Sequence, residues 1–252
     1  MPIRKVRSKL LKGIALKSHR GLRRYLPETH SYRPYRLKKM LRRHRTVFIK
    51  PDGGSQGKGI VRVRRMTRRT YKVSWDLRSQ RVRRRYLKRA VGRKLNPYRR
   101  YVIQRGISLA KYHGRRIDIR VYMQKPSHHW LISGKVTRVG APGRFVTNFS
   151  QGAYPERLTK VLHSLYSHQP HKVKSVLNRI DRISYRAAET LDRRYPGLRQ
   201  LGIDIGLDRR GRIWIIEVNT NPGHSTFRNL KNKTMYHNII RRKCIIHSRY
   251  AR

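Results

Sequence analysis

Apolar residues recur along the chain in short runs of strand spacing, set between charged stretches. Thr46 to Lys50 (TVFIK) reads as a strand that stops at Pro51. A glycine-rich stretch from Gly53 to Gly59 follows, and Ile60 to Arg65, with Val61 and Val63 alternating against arginines, reads as the next strand. Thr70 to Trp75 continues as a third. Gln80 to Leu95 carries Val82, Tyr86, Leu87, Ala90 and Val91 on one helical face, and Asn96-Pro97 stops that helix. Tyr101 to Gln104, Arg116 to Gln124 and Trp130 to Val139 are β-type segments, with turn signals at His113-Gly114 and Pro126-Ser127. From Val173 to Tyr195 the apolar positions step by three and four, which predicts a long amphipathic helix ended by Pro196-Gly197. Ile203 to Asp208 and Ile213 to Asn219 then predict a hairpin. At the N-terminus, Ile3, Val6, Leu10 and Ile14 recur at helical spacing and predict a basic amphipathic helix.

Such a mixture without a long Pro, Gly or Ser linker predicts a continuous α+β body. Hydrophobic residues make up 37% of the 252, enough for one substantial core or two small ones, which excludes a disordered basic tail. No run approaches the roughly 18 to 20 apolar residues of a membrane span. Lys12 interrupts the apolar stretch from Leu10 to Leu16, so no secretory signal peptide is read. The lone Cys244 has no partner for an internal disulfide. Charge changes the picture more than any of these. Lys and Arg number 65 against 11 acids, a formal net charge of +54. That excess points to anionic partners: nucleic acid, an acidic polymer, an anionic lipid face or phosphorylated ligands. With 45 Arg to 20 Lys, planar contacts to phosphate or carboxylate are favoured over point charges.

With so few carboxylates, their placement is informative, and three fall between Ile203 and Glu217. Period-two alternation sets Asp204 and Asp208 on the face opposite Ile203, Ile205 and Leu207. The same alternation sets Glu217 and Asn219 together on one face of the following strand. If the connecting loop is Arg209 to Arg212, Asp204 lies directly opposite Glu217, giving two carboxylates and an amide oxygen within cross-strand distance. Hard oxygen donors of this kind suit Mg²⁺ or Mn²⁺ bridging nucleotide phosphates. The competing reading is that these acids are salt-bridged to the surrounding arginines. The second constellation is Asp52-Gly53-Gly54-Ser55-Gln56-Gly57-Lys58-Gly59, whose glycines let backbone N–H groups approach phosphate closely. It is neither a Walker A loop nor a GxGxxG fingerprint, and alone it could be a mere hairpin.

Taken together, VFIKP, GGSQGKGI, YVIQRGI, DIRVYMQK and GIDIGLDRRGRIWIIEVNTNPG resemble the ATP-grasp superfamily. Within it the combination is similar to the YheC/YheD-like, endospore coat-associated branch. The resemblance implies an ATP-grasp fold over about residues 22–228, after a basic segment 1–21 and before a basic C-terminal helix in 229–252. It divides that fold into a small subdomain, about 46–104, and a metal-binding subdomain, 105–228, that grip ATP between them, with a reduced N-terminal segment. It implies that Lys50 and Lys125 reach the phosphates and that Gly53, Gly54, Ser55, Gln56, Gly57 and Gly59 fold over them. Gln104, Gly106 and Ile107 would form the hinge strand that reads adenine, and Asn148 a phosphate-side turn. Asp204, Glu217 and Asn219 would hold Mg²⁺, while Arg120 and Arg138 face the γ-phosphate or acyl phosphate. Gly202 stands where D-alanine ligases carry an arginine. The implied activity is phosphorylation of an unidentified carboxylate acceptor, which could be an acidic peptide or polymer, followed by displacement by an amine or thiol. Coat proteins or nucleic acid are further expected partners, with a cytoplasmic or spore coat-associated location. A rival expectation is a catalytically weak polyanion- or coat-protein-binding protein on the same scaffold.

Overall fold

The computed structural model describes residues 2–54, 57–145, 147, 152–167 and 169–250. Its first helix, α1, runs over Lys9–Ser18. The chain divides into a smaller unit, Ser8–Leu11 with Pro27–Ser108, and a larger one, Met1–Arg7, Lys12–Leu26 and Leu109–Arg252.

The smaller unit is built on strands β1 (Thr29–Ser31), β2 (Thr46–Pro51), β3 (Val61–Arg65), β4 (Thr70–Trp75), β5 (Arg78–Arg83) and β6 (Tyr101–Arg105), with helices α2 (Pro34–Arg43) and α3 (Leu87–Gly92). Its antiparallel sheet has the order β1-β6-β2-β3-β4-β5. Alternation turns Val47, Ile49, Val61, Val63, Val73 and Ile103 toward Leu37, Met40 and Leu41 of α2 and Leu87 and Val91 of α3. Burying each such aliphatic side chain contributes roughly 1.5–3 kcal/mol. Phe48, Lys50, Arg62, Arg64 and Gln104 are left on the opposite face.

One expectation fails here. The helix expected over Gln80 to Leu95 begins only at Leu87, after a 3₁₀ turn at Arg84–Tyr86, and Arg78–Arg83 is a strand. Asp76, at φ 47°, turns the chain tightly enough for Trp75 to pair with Arg78. That hairpin commits the next six residues to β4, and Val82 alone among them is apolar, too little to define a period.

The larger unit carries β7 (Lys111–Tyr112), β8 (Arg115–Gln124), β9 (Leu131–Val139), β10 (Tyr154–Arg157), β11 (Gln200–Leu207) and β12 (Ile213–Asn219). The order is β10-β9-β8-β11-β12, with β7 on β8. Helices α4 (Leu158–Leu165), α5 (Pro170–Arg194), α6 (Ser225–Arg228) and α7 (Thr234–Tyr250) complete it. Ile117, Ile119, Val121 and Met123 of β8 share a core with Ile180, Ile183, Ala187 and Leu191 of α5. On the other face Tyr122 and Val136 meet Phe227, Leu230 and Ile239. Asp118 and Arg120 share the Tyr122 side of β8.

The N-terminal helix also departs from expectation. Residues 2–8 are not helical, and α1 buries Lys12, Ala15 and Leu16 while Ile14 is 58% exposed. The backbone at Arg4 and Val6 finds other partners, Arg4 N donating to the Gly197 carbonyl and Val6 N to Thr220 Oγ1. Among the described residues, no helix is long and apolar enough to cross a membrane.

Candidate functional site

Arg120 on β8 is in register with Asp204 on β11, which is in register with Glu217 on β12, so the three form one row across neighbouring strands. Gly202 stands opposite Asn219 on one side and Tyr122 on the other. The Asp204–Glu217 pairing expected from a four-residue loop arises here from two compensating departures. Ile213 pairs with Leu207 rather than Asp208, and Ile216 is an extra, bulged residue that restores the register. Gly206 admits the bulge, because a Cβ there would come within 2.9 Å of the Ile216 side chain. Asp208 serves the turn instead of the acidic face: Oδ1 accepts from the Arg210 and Arg212 amides, and Oδ2 accepts from Trp214 Nε1.

Asp204 is held by two guanidinium groups. Arg120 Nε donates to Oδ1 at 2.6 Å and Nη2 to Oδ2 at 3.3 Å, while Arg138 Nη2 lies 3.1 Å from Oδ1. Arg138 also donates to both oxygens of Asp118, at 2.7 and 2.5 Å, and Thr147 Oγ1 donates to Asp118 Oδ2 at 2.6 Å. All five side chains belong to buried residues. Burial pushes the Asp204 carboxyl up, but Arg120 and Arg138 together outweigh it and hold it below its ordinary value. For Asp118 burial outweighs the single guanidinium of Arg138 and the Thr147 hydrogen bond, with repulsion from Asp204 added, so its carboxyl lies above the usual range. Arg138 is raised in spite of its burial, by the two aspartates it bridges. Removing one member of such a group leaves a buried charge uncompensated, at a cost of about 3–5 kcal/mol.

Gly202 explains how Arg120 fits. A Cβ at this position would lie 2.8 Å from Arg120 Nη1 and 2.7 Å from Pro222 Cβ. The guanidinium of Arg120 therefore lies over the bare α-carbon of Gly202, the position where the resemblance places an arginine in D-alanine ligases. An arginine is present at this point of the sheet, supplied from the neighbouring strand.

Lys125 does not join the row. Its ammonium pairs with Asp192 on α5 at 2.5 Å, and Trp130 Nε1 donates to the same carboxylate oxygen. Counting in twos from Arg120 gives Tyr122 and Gln124, so Lys125 follows Val121 and Met123 toward α5. Asn148 lies outside the described residues, as do Ser55 and Gln56 of the loop. Asp118 and Thr147 were not anticipated; for Asp118 the signal was its place two residues before Arg120.

In the smaller unit, Lys50 is buried and donates to Gln104 Oε1 at 2.7 Å, and Gln104 Nε2 donates to Thr29 Oγ1 at 3.1 Å. The Gln104 amide orients the ammonium without neutralising it. Phe48 is in register with Gln104, and its ring centroid is 5.8 Å from Lys50 Nζ. Gly106 and Ile107 continue just past β6, where Gly106 N donates to the Thr46 carbonyl. Gly53, Gly54 and Gly59 are exposed. Gly57 and Gly59 adopt φ of 71° and 68°, left-handed conformations that favour glycine. The root of the loop is pinned by the N-terminal segment. Ser8 Oγ and Leu10 N donate to the two Asp52 carboxylate oxygens, Lys9 N to the Asp52 carbonyl, and Lys9 Nζ to the Gly54 carbonyl. Asp52 thereby caps α1 from another part of the chain.

Among the described residues no three His, Cys, Asp or Glu side chains converge. The hairpin offers two carboxylates and one amide oxygen, with Glu217 and Asn219 half-buried. That donor set fits Mg²⁺, which at nucleotide sites commonly takes one or two carboxylates and completes its shell with phosphate and water. Asp204 would share such an ion with the two arginines.

The model of the family described as YheC/D like ATP-grasp matches residues 7–250. The endospore coat-associated protein YheC of Bacillus subtilis (strain 168) is 27% identical over 217 residues, 84% of this chain and 58% of that protein. The chain thus spans somewhat over half the length of that relative. Among solved structures, the D-cycloserine synthetase DcsG superposes with a TM-score of 0.56 at 11% identity, over 95% of this chain and 70% of its own. An L-amino acid ligase from Bacillus licheniformis gives 0.55 at 15% identity, over 95% and 47%. At these identities the likeness shows the fold, the ATP-grasp fold expected from the sequence motifs.

Proposed function

The chain belongs to the YheC/D-like ATP-grasp family, and on that footing we propose that it is an ADP-forming ligase that uses Mg²⁺-ATP to activate a carboxylate. The observation that carries this reading is the row Arg120, Asp204 and Glu217 across β8, β11 and β12, flanked by Asn219 and by the Arg138–Asp118 pair. Glu217, Asn219 and Asp204 would hold the ion, which neutralises phosphate charge when bound. The buried Lys50 ammonium, oriented by Gln104, supplies a fixed positive charge for a phosphate, and the Gly57 and Gly59 backbone can approach one without a side chain in the way. Arg120 and Arg138 are pre-oriented by buried aspartates, so they stabilise developing charge with little reorganisation.

In the proposed reaction an acceptor carboxylate oxygen attacks the γ-phosphorus and the bond to ADP breaks, giving an acyl phosphate and ADP. An amine or thiol then attacks the acyl carbon, and the bond to phosphate breaks. Association with the endospore coat is part of the proposal and draws on the name of the YheC relative. The test is to incubate the protein with Mg²⁺-ATP and carboxylate acceptors, including acidic peptides, with hydroxylamine as the trapping amine. ADP, phosphate and acceptor hydroxamate should accumulate together. ADP without hydroxamate from any acceptor would contradict carboxylate activation. The second reading, a polyanion-binding protein with little catalysis, is favoured by the +54 charge, far more than a nucleotide site needs.

A further inference from the structure

The open face of β3, β4 and β5 is cationic. Arg64 on β3 is in register with Lys72 on β4, and Lys72 with Arg81 on β5. Arg62 and Arg83 share that face, together with Thr70, Ser74 and Ser79, because Arg62 pairs with Ser74, Ser74 with Ser79 and Thr70 with Arg83. Across the same strands, the opposite face holds the valine core. Like charges set directly opposite one another weaken a sheet. Cations on an edge strand such as β5 are an ordinary guard against strand pairing, but Arg64 and Lys72 lie on interior strands and serve no such purpose. Among the described residues no acidic side chain meets Arg64, Lys72, Arg81 or Arg83. Residues 61–100 contain seventeen Lys and Arg and a single acid, Asp76. The row therefore calls for an external anion.

We infer that this face docks the sugar–phosphate backbone of a DNA duplex without reading its sequence. Three features favour nucleic acid over an acidic polypeptide. The cations follow one another about 4.8 Å apart across the strands. An extended peptide presents same-side carboxylates in a single line about every 6.7 Å, whereas a duplex carries one phosphate per about 3.4 Å of axis on each of two strands, the higher charge density for a patch of five cations spread over three strands. Second, four of the five cations are Arg, interspersed with the Thr70 and Ser79 hydroxyls, side chains of the kinds that contact phosphates; Ser74 lies buried beneath Arg62, whose Nη2 donates to it at 3.4 Å. Third, β3, β4 and β5 put no aromatic side chain on this face, so it offers phosphate contacts and no base stacking. This inference does not rest on the ligase reading, since none of these side chains is among those assigned to nucleotide or metal.

The test measures binding of the full chain to a mixed-sequence DNA duplex across a salt series, in the absence of ATP and Mg²⁺. A variant carrying Arg64→Ser, Lys72→Ser, Arg81→Ser and Arg83→Ser is compared with one carrying Lys39→Ser, Arg42→Ser, Lys88→Ser and Arg89→Ser. The second set removes the same charge from α2 and α3, on the opposite side of the sheet. The face variant should lose about a hundredfold to a thousandfold in affinity near physiological salt, and its log–log salt slope should become shallower by about 3–4. The helix variant should change far less. Equal losses in both variants, or an unchanged slope, would overturn the inference. So would tighter binding of polyglutamate than of duplex, lost in the same face variant, which would assign the face to an acidic polypeptide. Arg81→Ser alone, on the exposed edge strand, should cost about half a decade of affinity or more and make the slope shallower by about 0.9, which keeps the test open if the quadruple variant fails to fold.

Discussion

Gly202→Ala is the substitution whose effect follows most directly from the geometry of the site. The added methyl would stand 2.7 Å from Pro222 Cβ, 2.8 Å from Arg120 Nη1 and 3.3 Å from Arg120 Cζ, against ordinary carbon contacts of about 3.5–4.0 Å. Roughly 1 Å must therefore be found. Pro222 is buried and its carbonyl lies 3.1 Å from the Tyr122 hydroxyl, so its clash must be met by a backbone shift whether or not Arg120 is present, while the clash with Arg120 is relieved by moving the guanidinium. Moving it lengthens the 2.6 Å contact to Asp204 and leaves that carboxylate chiefly to Arg138. Overpacking of this kind costs about 1–3 kcal/mol. A cost near 2 kcal/mol lowers the urea midpoint of the larger unit by about 1 M. With Trp75 of the smaller unit replaced by Phe, fluorescence of Trp130 and Trp214 reports that unit. In an Arg120→Ala background the clash with the guanidinium is gone, so the same Gly202→Ala change should cost at least about 1 kcal/mol less. Equal cost in both backgrounds, or no cost in the wild type, would refute the placement of Arg120 over Gly202.

Asp52→Ala removes two hydrogen bonds that anchor Ser8 and Leu10, and should cost about 1 kcal/mol. Scanning calorimetry should show a fall of a few degrees, and an unchanged profile would contradict the cap. Gly57→Val forces a β-branched residue to φ 71° and should raise the apparent KM for ATP in a folded protein; an unchanged KM would remove the loop from the site. Glu28 is raised by burial, but hydrogen bonds from His44 and His30 and the charge of Arg43 outweigh this and hold it below its ordinary 4.5. A depressed carboxyl contributes stability above its unfolded value that is lost as pH falls through the folded one. Acid titration should therefore weaken the smaller unit below about pH 4.5 in the wild type, and Glu28→Gln should flatten that dependence; parallel curves would exclude Glu28 as the source.

The central hairpin was legible because alternation and loop length together fix which residues face each other. Asp204 does meet Glu217, yet the bulge at Ile216 was hidden, since an extra residue in the strand and one more in the loop cancel in the count. The Arg78–Arg83 strand was illegible for a simpler reason: one valine among arginines and polar residues carries no period. Lys125 pairs with Asp192, on the α5 face to which period two from Arg120 turns it. The anchoring of the glycine loop by Ser8 to Leu10 joins residues more than forty positions apart through Asp52, and no local pattern encodes such a contact. Gly202 is the reverse case. Its lack of a side chain looked like a missing arginine, and only the neighbouring strand shows that Arg120 occupies the space.

The most direct measurement is calorimetric titration of ATP into the full chain with Mg²⁺ and again in EDTA, for the wild type and Glu217→Gln. Glu217 lies in the row with Asp204 and Arg120, and with Asn219 it is a half-buried oxygen donor beside that pair. Binding should require Mg²⁺ in the wild type and weaken by about tenfold or more in Glu217→Gln, in which one charged oxygen donor becomes a neutral amide. Equal affinity in EDTA, or an unaltered affinity in Glu217→Gln, would contradict a metal-assisted nucleotide site on this hairpin.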